Sequence, residues 1–127
     1  DDLNNTTWSV NDWQTIRCNA LKMQTTVSDL SNGESLFVFI VAPDKSTIYR
    51  HFLSENENIS KSRLDVIAEN ETLNFLRIDQ LLLQKVNDGN KDIYKPNNTH
   101  WSYEGNELVA RALIQYLISK NIILELK

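Results

Sequence analysis

The sequence has 127 residues, enough for one hydrophobic core but short for a complete α/β enzyme domain. Its hydrophobic content of 41% and charged content of 24% fall in the ordinary globular range, and no stretch approaches the roughly 18 apolar residues that cross a bilayer, so no transmembrane segment is expected. A net charge of -4 with Lys and Arg scattered along the chain argues against a nucleic acid partner.

Cys18 has no second cysteine, which rules out an internal disulfide and a cysteine zinc cluster. The two His lack ligand spacing, so neither a metal nor a cofactor is expected. A lone cysteine on a helical pattern reads as a small core residue. The chain opens at Asp1 without Met or a signal segment, as a processed product or a piece of a longer protein would. Asn-x-Ser/Thr triplets at Asn4, Asn5, Asn58, Asn70 and Asn97 are the chance yield of an Asn-rich chain and carry little weight as glycosylation sites.

From Val10, the residues Trp13, Ile16, Ala20, Met23, Val27 and Leu30 recur at the three- and four-residue spacing of a buried helix face, and Asn32-Gly33 supplies the stop. Residues 35–42 (SLFVFIVA) are continuously apolar and predict a strand covered on both faces, ended by Pro43. Residues 54–62 read as a polar surface connection and 63–69 as a short helix. Residues 73–78 (LNFLRI) predict a second strand, with Asp79 placed to cap a helix through Leu81, Leu82, Leu83 and Val86 that closes at Asp88-Gly89-Asn90. A loop over 91–99 leads to a helix from Tyr103 through Leu108, Ala112, Leu113, Tyr116 and Leu117, and 122–126 reads as a last strand. Strands alternating with helices predict a layered α/β sandwich with a mainly parallel sheet flanked by helices, in which ligands sit beyond the carboxyl ends of the strands.

His100 lies in a polar loop just before a helix and beside an aromatic residue. A histidine so placed suits a general base; the alternative is a surface or capping histidine. His51 follows Tyr49-Arg50 with no evident partner, and Asp65, Glu69 and Glu71 form a charged helix face without a glycosidase-like carboxylate pair.

The segment Tyr94-Lys95-Pro96-Asn97-Asn98-Thr99-His100-Trp101-Ser102-Tyr103-Glu104-Gly105 resembles a motif of the SGNH-like domain in alginate-type polysaccharide O-acetyltransferases. That motif is a Tyr, two or three residues, Asp-Thr-His-Trp and then Gly. Phe39-Ile40-Val41-Ala42-Pro43-Asp44-Lys45-Ser46-Thr47-Ile48-Tyr49 is similar to the same family's strand followed by Pro-Asp-Lys and a Tyr. Two matches in the right order, spanning Leu36 to about Tyr116, are more specific than either alone.

The resemblance implies residues 1–127 as one SGNH-like domain or its amino-terminal part, bacterial and periplasmic or otherwise extracytoplasmic. It implies His100 as the base that activates a serine, an acyl donor, a polysaccharide acceptor such as an exopolysaccharide, and an export or acetylation complex as partner. Asn98 occupies the position of the orienting Asp. An Asn accepts a hydrogen bond from the ring without stabilising the imidazolium by charge, and Asp-to-Asn in a well-studied triad lowers kcat by roughly 10⁴. The three-residue spacing of other SGNH hydrolases points to Asn97 instead, with the same deficiency.

The family's Gly-Asp-Ser-like turn is absent, as is Gly-x-Ser-x-Gly; the nucleophile is therefore expected outside this chain, and Ser46 reads as a structural serine. Asp44 and Lys45 either line the cleft, with Lys45 meeting an acyl oxygen or sugar, or form a turn in which Pro43 and Asp44 fix the backbone and Lys45 pairs with a neighbouring carboxylate. Trp101 and Tyr103 either stack on a sugar or pack under the helix start, packing with an exposed edge being favoured for Trp101. Two rivals stand beside the enzyme reading: an inactive SGNH-like glycan-binding or complex-forming protein, and a plain α/β domain in which His100 is buried against apolar side chains.

Overall fold

The computed structural model describes residues 8–52 and 64–122. Among them the protein is a mixed helix and sheet fold with a two-stranded parallel sheet, of strands β1 (Phe39–Ile40) and β2 (Phe75–Leu76). The chain divides into two compact units, whose described parts are residues 8–39 with 64–75, and 40–52 with 76–122.

The first unit is built on α1 (Val10–Leu30), and both of its ends are closed by local chemistry. Ser9 Oγ accepts from the Asp12 amide at 3.2 Å while Asp12 Oδ2 accepts from the Ser9 amide at 2.7 Å, a capping box that satisfies two orphan donors at once. At the other end the Asn32 and Gly33 amides donate back to Asp29 and Ser28. Asn32 holds φ 51° and Gly33 φ 81°, so Asn32 occupies the left-handed position of a Schellman stop, where Gly or Asn is favoured.

The buried stripe of α1 differs from the apolar periodicity. Met23 and Leu30 are exposed and only Ala20 of the expected face is fully buried. Cys18, expected in the core, is exposed as well. Two polar side chains take the inward positions instead. Arg17 donates to the Val66 carbonyl at 2.8 Å and pairs with Glu69, while Gln24 donates to the Thr72 carbonyl and accepts from the Asn74 amide. A helix seated on a backbone with unpaired carbonyls and amides gains more from side chains that pair them than from a uniform apolar face. Against α1 lies α3 (Leu64–Ala68), and Ala20, Leu64, Ile67 and Leu73 of this unit are all buried.

The long strands expected over 35–42 and 73–78 contract to two residues each. Residues 36–41 are half-buried: a strand with a single neighbour lacks the flanking pairs that cover both faces of a central parallel strand.

In the second unit, α2 (Lys45–Tyr49) leads into a 3₁₀ turn (Arg50–Phe52), and α4 (Ile78–Asn87) buries Ile78, Leu82 and Val86 along one face. Asp79 does not cap α4. It lies in the first turn, buried, with its carboxylate forked by the Arg77 guanidinium at 2.8 Å to each oxygen. The closure of α4 is as expected: the Gly89 and Asn90 amides return to Val86 and Lys85, with Gly89 at φ 101°.

Helix α5 (Tyr103–Ser119) has Ser102 as its side-chain cap. The core of this unit gathers Ile48, Leu82, Val86, Ile93 and Tyr94, with Trp101, Leu108 and Val109 packed against it. The connection expected over 54–62, and all of the expected strand over 122–126 except Ile122, lie outside the described residues.

Candidate active site

The site is assembled within the second unit, from the end of the 39–43 segment, the start of α2 and the loop over 94–101. Pro43 is buried, and its carbonyl accepts from the Tyr94 hydroxyl at 2.6 Å. Tyr94 is 2% exposed; burial raises its hydroxyl pKa to about 12, so the phenol stays protonated and keeps donating. Tyr49 donates to the Lys91 carbonyl at 2.5 Å, accepts from the Tyr94 amide at 3.3 Å and meets the Tyr94 ring edge-on. These two tyrosines tie the histidine loop to the Pro43 corner.

The loop folds back on itself. Tyr94 bridges Trp101, the Lys95 amide donates to the His100 carbonyl at 3.1 Å, and the Ser102 amide donates to the Ile93 carbonyl at 2.9 Å. Ser102 Oγ donates to the Asp92 carbonyl and accepts from the Gly105 amide at 3.1 Å, so the residue that ends the loop also starts α5. Gly105 is required there: a Cβ would run into the Ile93 carbonyl oxygen and lie 3.2 Å from the Trp101 Cβ.

Asn98 Oδ1 accepts from the His100 backbone amide at 2.9 Å and also faces the ring Nδ1. An atom that accepts a backbone N–H is the carbonyl oxygen of the amide, so the ring nitrogen against it carries the proton. A neutral His100 ring is thereby set as the Nδ1–H tautomer, with Nε2 left as the acceptor. His100 is exposed, which disagrees with the reading of a histidine buried among apolar side chains.

Lys45 reaches the same loop, while Asp44 bonds to the start of its own helix. Asp44 Oδ1 accepts from the Thr47 amide at 2.6 Å and from Ser46 Oγ at 2.7 Å, capping α2. The Lys45 ammonium donates to the carbonyls of Lys95 and Pro96 at 2.8 Å each and lies 3.5 Å from that of Asn98. The turn reading of this pair expects a carboxylate beside Lys45; backbone carbonyls take that place.

A cleft of about 410 Å³ opens beside the ring, lined by Ala42, Pro43, Lys95, Thr99, His100, Trp101 and Asn106. Trp101 is half-buried, packing on the core with one edge toward the cleft. Tyr103 is 83% exposed and stands apart from the lining, and His51 is exposed in the 3₁₀ turn. Asn106, one turn into α5, carried no signal in the sequence because only the docking of that helix brings it beside His100. Among the described residues no three His, Cys, Asp or Glu converge as metal ligands, and no helix is long and apolar enough to cross a membrane. Compared with family models, curated proteins and solved structures, the chain finds no match.

Proposed function

We propose that this chain supplies the histidine end of a serine-type acyl-transfer site, part of an SGNH-like O-acetyltransferase or acetylesterase acting on polysaccharide hydroxyls. The observation that carries the reading is the Asn98–His100 pair: the side chain two residues before the histidine holds Nδ1–H and leaves Nε2 free to take a hydroxyl proton. In this reaction Nε2 receives the serine proton as the oxygen attacks the acyl carbonyl and returns it to the donor's departing group as the acyl-enzyme forms; it then takes the proton of a sugar hydroxyl or water that attacks the ester and gives it back to the serine oxygen as that leaves. The reading takes the serine from outside this sequence, which holds no Gly-Asp-Ser-like turn. Trp101 and Asn106 on the cleft wall would meet the acceptor, an aromatic edge and an amide being suited to a sugar face and its hydroxyls.

The neutral Asn98 favours a second reading, a non-catalytic relative that binds glycan in the same cleft, since no negative charge stabilises an imidazolium. Acetyl-ester hydrolysis by the full-length gene product, set beside its His100→Ala variant, separates the two. Activity that falls by about 10³-fold or more in the variant supports the enzyme. Activity that survives the change removes His100 from the chemistry, and inactivity of the unaltered protein with retained glycan binding favours the binder.

A further inference from the structure

We propose that Lys45 is a positioning residue, whose ammonium gathers the carbonyls of Lys95, Pro96 and Asn98 and so holds the His100 ring in its Nδ1–H form.

The loop from Lys95 to His100 contains one proline and a tight turn in which the Asn98 amide reaches back to the Lys95 carbonyl at 3.3 Å. Such a turn points several carbonyls the same way. Neighbouring carbonyl dipoles aimed at one point repel, and the arrangement is stabilised when a cation sits at that point. The Lys45 Nζ occupies it, 2.8 Å from the Lys95 and Pro96 oxygens and 3.5 Å from the Asn98 oxygen. The three N–H donors of an ammonium match three acceptors without a fixed plane, which a guanidinium does not offer around one nitrogen.

Lys45 does not drift with its stem. It is the first residue of α2, and Asp44 caps that helix through the Thr47 amide at 2.6 Å. Two of the three carbonyls belong to residues that set the ring: Lys95 receives the turn bond from Asn98 and donates its own amide to the His100 carbonyl, while Asn98 holds both the His100 amide and Nδ1. Displacing the Asn98 backbone displaces Oδ1, and the ring loses its orienting acceptor.

The inference rests on the reading of His100 as a base, but its test needs no turnover. Nitrogen-15 chemical shifts of the His100 ring report which nitrogen bears the proton, and amide exchange reports the loop. The unaltered protein is expected to show Nδ1 protonated in the neutral ring. In Lys45→Met the ring is expected to revert toward the Nε2–H form of unconstrained histidine, with the Asn98 and His100 amides exchanging about tenfold faster. Lys45→Arg is expected to recover part of both effects, since it keeps the charge and loses the convergent geometry. Should Lys45→Met lose its folded circular dichroism, Lys45→Gln, neutral but still a donor, carries the same comparison.

An unchanged tautomer in a folded neutral variant overturns the positioning role while leaving the proposed acyl transfer standing. An unaltered protein without a fixed Nδ1–H overturns it outright. Loss of ester hydrolysis in His100→Ala alone bears on the reaction and not on Lys45.

Discussion

At His100 the same side chain that weakens the analogy to a charged triad also sets the ring. An Asn in an orienting position is damaging when its NH₂ turns to the ring and imposes the wrong tautomer. Here the His100 backbone amide donates to Asn98 Oδ1, which turns the oxygen toward Nδ1, so what the orienting position lacks is charge alone. On the proposed acyl-transfer reading, Asn98→Asp in the whole protein is therefore expected to raise kcat for ester hydrolysis, by less than the roughly 10⁴ of a triad whose tautomer is also corrected. A steady-state comparison at saturating ester reads it.

Tyr94 offers a second test at this scale. Burial disfavours the phenolate and pushes the Tyr94 hydroxyl up to about 12, against about 10 for an unfolded tyrosine. A raised pKa stabilises the fold through the protonated form, so that stability is complete below about pH 10 and lost as pH rises through about 12. Tyr94→Phe is expected to cost about 1 kcal/mol near neutral pH through the lost bond to Pro43, and to flatten the alkaline decline. Urea midpoints at about pH 7 and about pH 11 measure both effects.

The elements divide by where their signals reside. Helix stops were readable because they are local: Asn32-Gly33 and Asp88-Gly89-Asn90 act on carbonyls within a few residues. The cap of α4 misled because Asp79 beside an apolar run looks like a cap, while the Arg77 guanidinium two residues earlier draws it into a buried pair. The start of α5 shows how an element positions the site. Gly105 lets its first turn close on the Ile93 carbonyl, which sets Trp101 and Asn106 on the cleft wall. Gly105→Ala is expected to destabilise the protein by about 1–3 kcal/mol despite the better helix propensity of Ala, because a backbone carbonyl has to move. A lowered thermal midpoint would show the loss, and displaced amide resonances at Ile93 and Trp101 would locate it.

For the whole molecule, stability rests on one small core in each compact unit. In the first, Ile67 is fully buried, and Ala20, Leu64 and Leu73 are buried too; in the second, Leu82 is fully buried among Ile48, Val86, Ile93 and Tyr94. Ile67→Ala and Leu82→Ala are each expected to cost about 2–5 kcal/mol, a large share of a typical 5–15 kcal/mol. Chemical denaturation of each variant reads the value, and a cost below about 1 kcal/mol would contradict the burial.

Composition and periodicity were enough to place α1, α3, α4 and α5 within a few residues and to put His100 in a polar loop ahead of α5, because apolar spacing and helix stops act along the chain, whereas α2 lies in a segment read without a helix and Asn98 was singled out by the family resemblance. Folding alone decided which face of α1 is buried, how far the strands extend, and that the Lys45 ammonium meets backbone carbonyls 50 residues or more away. Those outcomes depend on which unpaired backbone groups and which neighbouring strands a segment meets in space, and hydrophobic spacing along a single chain carries no record of either.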